Sequence, residues 1–193
     1  MVVTNMSKES SILIAASNLF IKYGIDHINM VDIAKTAGVS KQTIYTYFGN
    51  KNILFDRSFD YYCKNHQYRP PNLSDELSLY DFLSIYSESI LEFIKDDKTI
   101  NIYRACVSAR LTDNDLWGYA FNNGLKLAID GLVRYLRIKK ERGEMVVGDV
   151  EGAAASYISS LVSVELLHGL LGYPKNYCDN YENRIINFVN SFS

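Results

Sequence analysis

The sequence is poor in the residues that mark several other classes of protein. Its three cysteines, Cys63, Cys106 and Cys178, are too few and odd in number for a disulfide framework, which favours a reducing cytoplasm. Three prolines and 11 glycines are too few for the many turns of an all-β sandwich. No apolar run reaches the roughly 20 residues of a membrane span, and the N-terminal residues lack the flanks of a signal peptide. We therefore expect a cytoplasmic protein without disulfides.

An excess of basic residues is also absent. The chain has 20 lysines and arginines against 22 acidic residues, a net charge of −2, which alone argues against a nucleic-acid partner. The charge is unevenly distributed, however, because residues 1–66 hold seven basic and five acidic side chains. This balance of +2 leaves −4 for the remainder, and the opposite signs suggest two parts with different tasks.

What the sequence does contain is helical periodicity. Apolar residues recur with the spacing of one helix face, and strict alternation over the length of a strand is nowhere convincing. The pattern predicts an all-α protein of about nine helices. The clearest apolar stripes cover residues 12–23, 79–94, 121–135, 150–168 and 181–192.

A helix-turn-helix is predicted near the N-terminus. Asn29 can cap a short helix, and Gly38 can end it in the left-handed conformation that glycine enters most easily. Ser40 can then cap a second short helix whose Ile44 and Phe48 point inward. Two short helices joined by such a turn set the second one into the major groove of DNA.

The second of these helices exposes side chains suited to DNA. Lys41 can donate to guanine, Gln42 can pair with adenine, and Thr43 can reach phosphate or the thymine methyl group. Two tyrosines further along offer phenol groups to phosphate oxygens, and Lys51 adds a cation beside the N-terminus of the next helix. With the two capping residues included, the predicted DNA-binding set is Asn29, Ser40, Lys41, Gln42, Thr43, Tyr45, Tyr47 and Lys51.

From about residue 10 to residue 62 the sequence resembles the tetracycline-repressor (TetR) family of bacterial transcription regulators. Asn29 stands where the family usually has threonine, which keeps the capping chemistry. Gln42 stands where glycine is frequent, which should alter the choice of operator. The resemblance rests on Leu19-Phe20 with Tyr23-Gly24, on Ile33-Ala34-x-x-Ala37-Gly38-Val39-Ser40, and on Thr43-Ile44-Tyr45-x-x-Phe48-x-Asn50-Lys51 with Leu54.

The resemblance implies a ligand-responsive transcriptional regulator, in most cases a repressor. Such a protein binds a pseudo-palindromic operator as a homodimer and is released by a small-molecule effector. The resemblance also implies a DNA-binding domain over residues 1–50 and an effector-binding and dimerisation domain over residues 51–193. Residues 50–67 would form the connecting helix, and the last two helices would form the dimer contact.

The part of the chain after residue 70 has no motif that identifies the effector. Aromatic residues with a few polar groups suit the wall of a pocket for a small organic ligand, although a place in the core is the commoner role for each of them. The candidates are Tyr86, Tyr103, Arg104, Trp117, Tyr119, Tyr157, Glu165 and His168.

Several residues of the sequence would also allow other functions. A small-molecule-binding helical dimer with a vestigial DNA head remains the alternative. Cys63 and His66 could supply half of a zinc site, but no second pair has a suitable spacing, so no metal is expected. Glu165 and His168 could form an acid–base pair, yet the sequence offers no nucleophile and no catalytic motif. We expect neither enzyme activity nor a cofactor.

Overall fold

The computed structural model of the protein describes residues 7–108, 116–173 and 181–192. The prediction of an all-α fold is confirmed, since these ranges contain ten α-helices and no strand. The helices are α1 (Lys8–Tyr23), α2 (Met30–Ala37), α3 (Lys41–Phe48), α4 (Lys51–Asn65), α5 (Leu79–Lys95), α6 (Asp97–Ser108), α7 (Leu116–Asn123), α8 (Leu125–Glu141), α9 (Val150–Leu171) and α10 (Glu182–Asn190).

The first compact unit comprises residues 1–66 and 101–120. In its core α1 packs along α4, and the ring of Phe20 meets the ring of Phe55 edge-on with 5.2 Å between centroids. Tyr23 was expected on the same inner face, but it is the last residue of α1 and is 48% exposed. The contacts of α4 place this helix in the same compact unit as α1, α2 and α3. The predicted division between a DNA-binding domain and an effector-binding domain after residue 50 stays a prediction.

The second compact unit comprises residues 67–100 and 121–193. Here α9 packs against α5 and α8, and the Tyr86 ring is buried against α8. Gly131, in the middle of α8, permits this approach, because a Cβ atom there would lie 2.1 Å from Tyr86 Oη. The phenol instead donates a hydrogen bond to the carbonyl of Ala128 at 2.7 Å. The tyrosine ring therefore packs against the backbone of a neighbouring helix, and its hydroxyl group has a hydrogen-bond partner there.

One predicted helix is in fact two helices. The apolar stripe over residues 121–135 predicts a continuous helix, but α7 ends at Asn123 and α8 begins at Leu125. Gly124 between them has φ −126° and ψ −102°, far from helical values. The carbonyl of Asn123 accepts the N–H group of Tyr68 at 2.8 Å, and glycine is a weak helix former, so a tertiary hydrogen bond prevails over local periodicity.

One helix, α9, is long and apolar enough by length and composition to cross a membrane. The expectation that no segment is so apolar is therefore wrong by this criterion. The helix nevertheless packs against α5 and α8, and its Glu165 side chain is buried within the unit. Length and composition alone are weak evidence for a membrane span, and these contacts place α9 among the helices of the second unit.

Candidate nucleic-acid interface

The first helix of the predicted motif, α2, begins with a reciprocal capping box. The Asn29 side-chain oxygen accepts the N–H groups of Val31 and Asp32 at 2.8 and 3.0 Å. The Asp32 carboxylate in turn accepts the N–H group of Asn29 at 3.3 Å. These bonds satisfy donors that the start of a helix leaves free. The predicted cap is confirmed, and it commits the Asn29 side-chain oxygen to the fold.

The turn between α2 and α3 also follows the predicted pattern. Gly38 has φ 68° and ψ 32°, the left-handed conformation that costs other residues about 1–2 kcal/mol. The N–H group of Val39 donates to the carbonyl of Ala34 at 3.0 Å. Ser40 Oγ accepts the N–H group of Thr43 at 3.0 Å and shares a hydrogen bond of 2.8 Å with the Thr43 hydroxyl. Two hydroxyl groups therefore lie side by side at the beginning of α3.

The second helix, α3, buries one face and exposes the rest. Ile44 and Phe48 are 0% and 3% exposed, as predicted. Tyr45 and Tyr47 are 39% and 44% exposed, so both phenols can reach a ligand outside the protein. Phe48 lies beneath the Arg57 guanidinium, 5.1 Å from the ring centroid. This contact holds α3 against α4.

The N-terminal end of α3 carries the side chains predicted to meet DNA. Lys41 and Gln42 are exposed, and Thr43 is half-buried. Lys41 Nζ lies 5.7 Å from the centroid of the Tyr45 ring, so the cation and the phenol share one side of the helix. Thr46 is exposed as well and was not predicted, because a threonine in mid-helix gives no sequence signal; its hydroxyl donates to the Gln42 carbonyl at 3.0 Å. The helix has no acidic residue, and an exposed lysine at a helix N-terminus favours an anion.

A second anion-attracting feature lies at the start of α4. Asn50 Oδ1 accepts the N–H group of Ile53 at 2.9 Å, which confirms the predicted cap. The first turn of α4 has no acidic residue, and Lys51 is half-buried there without an ion pair among the described residues. A helix N-terminus and a nearby cation both favour a phosphate group.

Four of the eight effector candidates belong to the first unit. The Tyr103 ring is buried, and its centroid lies 5.8 Å from that of Trp117. Trp117 and Tyr119 are 52% and 36% exposed. Arg104 is exposed and donates to the Asn101 side chain at 3.5 Å. The structure therefore brings Tyr103 and Trp117 together and places Tyr119 at the surface of this unit.

The other four candidates belong to the second unit. Tyr86 and Tyr157 are buried, and the Tyr157 phenol shares a hydrogen bond of 2.7 Å with the hydroxyl of Ser87. Burial raises the pKa of Tyr157 to about 12, so its hydroxyl stays protonated at neutral pH. Both tyrosines bridge neighbouring helices through their hydroxyl groups, which is the core role that the sequence left open.

Glu165 and His168 face different neighbours along α9. The Glu165 carboxylate is buried and lies 3.9 Å from the ammonium of Lys95. The His168 ring is half-buried, with its centroid 5.9 Å from that of Tyr173. Within residues 7–108, 116–173 and 181–192, no group of three histidine, cysteine or acidic side chains could hold a metal ion.

Two of the effector candidates line cavities. In the first unit, Arg104 lines a cavity of about 470 Å³ at the C-terminal end of α1. In the second unit, Tyr86 lines an open cleft of about 400 Å³ between residues 70–75, α5 and α8. The other six candidates line neither of these two spaces. The effector role of the set as a whole stays a prediction.

Two family models match the chain. Residues 12–57 match the model described as bacterial regulatory proteins, tetR family. Residues 81–189 match the model for the C-terminal domain of AefR-like transcriptional repressors. The first match contains α3 with all its exposed side chains, and the second covers more than half of the chain.

Similar proteins come from sequence and from structure comparisons. The HTH-type transcriptional regulator YhgD of Bacillus subtilis (strain 168) is 32% identical over 102 residues, which are 52% of this chain and 53% of that protein. The chain thus matches about half the length of this curated relative. Among solved structures, the flavonoid-responsive regulator FrrA has a TM-score of 0.74 and 25% identity, with 96% of this chain and 97% of that chain covered. A TetR transcriptional regulator from Agrobacterium tumefaciens shares the fold, with a TM-score of 0.76, 19% identity and coverage of 96% and 94%.

Proposed function

The chain belongs to the TetR family of bacterial regulatory proteins, and we propose that it is a repressor that binds a pseudo-palindromic operator as a homodimer. We further propose that a small molecule releases it from DNA. It would act in the cytoplasm without catalytic activity. The observation that carries the proposal is the exposed N-terminal end of α3, where Lys41 and Gln42 follow a helix-turn-helix turn in a helix that has no acidic residue of its own.

Each α3 would enter the major groove of one half-site. Residues at the N-terminal end of such a helix contact base edges, and Lys41 and Gln42 have the donors and acceptors to read guanine and adenine. Tyr45, Tyr47 and Lys51 would contact phosphate oxygens, which fix the position of the helix without reading sequence. The Ser40 and Thr43 hydroxyl groups would contact the DNA backbone next to these bases.

The homodimer would form through α9 and the last residues of the chain. On α9, the serines at positions 159 and 163 are exposed together with Leu167 and Leu171, which are 53% and 63% exposed. Small residues permit close approach of helices, and exposed leucines are typical of a surface that a partner covers. Ile186 on α10 is 43% exposed and would extend this surface. The predicted dimer segment also includes residues 174–180, which lie outside the described residues.

Release by a small molecule would require a coupling free energy between effector and operator. Such couplings are typically about 1–3 kcal/mol, and by linkage the operator weakens effector binding by the same factor. The name of the similar regulator FrrA states that it is flavonoid-responsive, which supports a small organic effector for this chain. The signal would pass through α4, which follows the reading helix directly in the chain.

Substitutions at Gln42 and Lys51 are expected to separate base reading from phosphate binding. Gln42→Ala should lose about 1–3 kcal/mol of discrimination at one base position in each half-site. Lys51→Ala should weaken binding to all sequences, and in a dimer it should lower the slope of log K against log salt by about 2, because two phosphate contacts are lost. The measurement is fluorescence anisotropy on the protein's own upstream DNA and its single-base variants, at several salt concentrations.

Lys64→Ala is the matched control, since Lys64 lies at the other end of α4 and pairs with Asp60 at 2.7 Å. It should leave both base discrimination and salt slope unchanged. If neither Gln42→Ala nor Lys51→Ala changes binding to a confirmed operator, the assignment of α3 as the reading helix is wrong. Equal binding to all genomic fragments, together with saturable small-molecule binding, would favour a sensor with a vestigial DNA head.

The dimer is expected to sediment as one species of two chains at micromolar concentration. Leu167→Glu should raise the dimer dissociation constant by several hundredfold, because each of the two chains loses a buried leucine that contributes about 2 kcal/mol. Val146→Glu introduces the same charge at a residue that is 87% exposed, and it should have no effect. A wild-type chain that sediments as a monomer, or equal behaviour of the two variants, would contradict the proposed interface.

A further inference from the structure

The open cleft of the second unit is lined by rings on one side and by a proline-containing segment on the other. Its volume of about 400 Å³ falls within the range of small-molecule sites. Its floor consists of side chains from α5 and α8, and its outer wall comes from the segment between α4 and α5. The apolar part of the lining is Pro70, Pro71, Leu73, Phe82, Tyr86 and Tyr135.

The floor is a fixed stack of aromatic rings. Phe82 lies between the other two rings, with its centroid 3.7 Å from Tyr135 at an interplanar angle of 15° and 5.1 Å from Tyr86 at 23°. The Tyr86 hydroxyl donates to the Ala128 carbonyl at 2.7 Å, and the Tyr135 hydroxyl donates to the Leu77 carbonyl at 2.8 Å. Because both hydroxyl protons are already used in hydrogen bonds within the protein, a ligand in the cleft would meet the apolar ring atoms of this floor.

The outer wall is held in place by ion pairs. Arg142, just after α8, contacts the Asp75 carboxylate at 2.6 Å and the Glu76 carboxylate at 3.0 Å. The hydrogen bond from Tyr135 to Leu77 fixes the same segment two residues later. Consecutive prolines at its start restrict the backbone further. A wall tethered in this way is preorganised, which reduces the entropy that a ligand must overcome.

Two charged side chains line the cleft, Asp75 and Arg134. Asp75 pairs with Arg142, which also contacts Glu76 and Glu144. Among the described residues Arg134 has no ion pair, whereas Arg137, one turn later on α8, pairs with Glu151. An aromatic floor beside one available guanidinium is complementary to a flat ring that carries an acid group.

We propose that this cleft binds an aromatic carboxylic acid, with the ring against the edges of Phe82 and Tyr135 and the carboxylate on the guanidinium of Arg134. The proposal rests on the proposed function, in which such a compound would be the effector that releases the repressor. The carboxylate accepts two hydrogen bonds from the planar guanidinium, while Pro71 and Leu73 cover the other side of the ring.

The test uses two probes with the same ring and nearly the same shape, the anion 2-naphthoate and its neutral amide 2-naphthamide. Calorimetric titration of the full chain is expected to show saturable binding of 2-naphthoate, and Arg134→Gln should weaken it about tenfold, because one charge-assisted pair is lost. Binding of 2-naphthamide should be the same in wild type and in Arg134→Gln. Arg137→Gln is the matched control, because it removes the same charge from the same helix outside this cleft, and it should change the affinity for 2-naphthoate less than twofold.

Absence of saturable 2-naphthoate binding, or equal losses in Arg134→Gln and Arg137→Gln, would overturn the proposed site. Preferential binding of the amide would also overturn it, since the cleft would then take a neutral ring. Anisotropy of labelled upstream DNA, measured without probe, tests the repressor function separately. If the chain binds DNA but shows no Arg134-dependent binding of 2-naphthoate, the proposed ligand site is wrong and the repressor function stands. If it binds 2-naphthoate through Arg134 but does not bind DNA, the ligand site stands and the repressor function is wrong.

Discussion

Phe20→Ala is expected to destabilise the first compact unit by about 3–5 kcal/mol, a large part of the stability of a domain of this size. The Phe20 ring is 2% exposed and packs edge-on against Phe55, so its removal loses both buried area and an aromatic contact across the α1–α4 interface. A cavity of this size cannot collapse without moving α4. Because α3 rests on α4 through Phe48 and Arg57, we expect operator binding to be lost together with the fold of this unit.

The measurement is urea unfolding followed by tryptophan fluorescence. Trp117 is the single tryptophan of the chain and belongs to the same compact unit as Phe20, so its emission reports the unfolding of that unit. Tyr23→Ala is the matched control, because Tyr23 is on the same helix and 48% exposed, and it should change the free energy of unfolding by no more than about 0.5 kcal/mol. Equal midpoints for the two variants would show that α1 does not build the core of this unit.

The helix-turn-helix could be predicted from sequence because its signals are local. Asn29, Ser40 and Asn50 each accept backbone N–H groups within three residues, and Gly38 adopts a positive φ next to its own helix. Capping and turn chemistry of this kind depends on neighbours in the chain rather than on distant contacts. The buried positions of Ile44 and Phe48 follow from the same short helix.

The cleft and its charge could not be predicted in this way. Asp75 lines the cleft and pairs with Arg142, and this pairing joins residues 67 positions apart. Gly131 has a role only because Tyr86, on another helix, lies against it. The break at Gly124 likewise depends on a hydrogen bond from Tyr68. Spacing within a segment indicates which face is apolar, but it does not indicate which other segment will cover that face.

The whole-chain charge of −2 is a poor guide to function for a related reason. The value sums residues 1–66, with a balance of +2, and the rest of the chain, with −4. On α3 itself the only charged side chain is Lys41, and it lies at the exposed end of the helix. Electrostatic attraction to phosphate depends on charges within about one Debye length, roughly 8–10 Å, so the local surface decides whether DNA binds.

Lys41→Glu is therefore expected to weaken operator binding by about 3–4 kcal/mol for each half-site, a few hundredfold in dissociation constant per half-site. The substitution removes a contact worth about 1–3 kcal/mol and places a carboxylate where phosphates surround the helix end, which adds like-charge repulsion. Because Lys41 is exposed and its side chain lies over the Tyr45 ring at the surface of the helix, the fold of α3 should survive. Circular dichroism and the Trp117 unfolding curve check that it does.

Lys22→Glu makes the control for this experiment, since it changes the net charge of the chain by the same amount. Lys22 is also exposed and also lies over a tyrosine ring, that of Tyr23 at 5.0 Å, but it is at the end of α1 rather than on the reading helix. If whole-chain charge governed binding, the two reversals would weaken it equally. A large loss confined to Lys41→Glu, measured by anisotropy at constant salt, would assign the effect to the local surface of α3. Equal losses would instead mean that α3 does not meet the DNA.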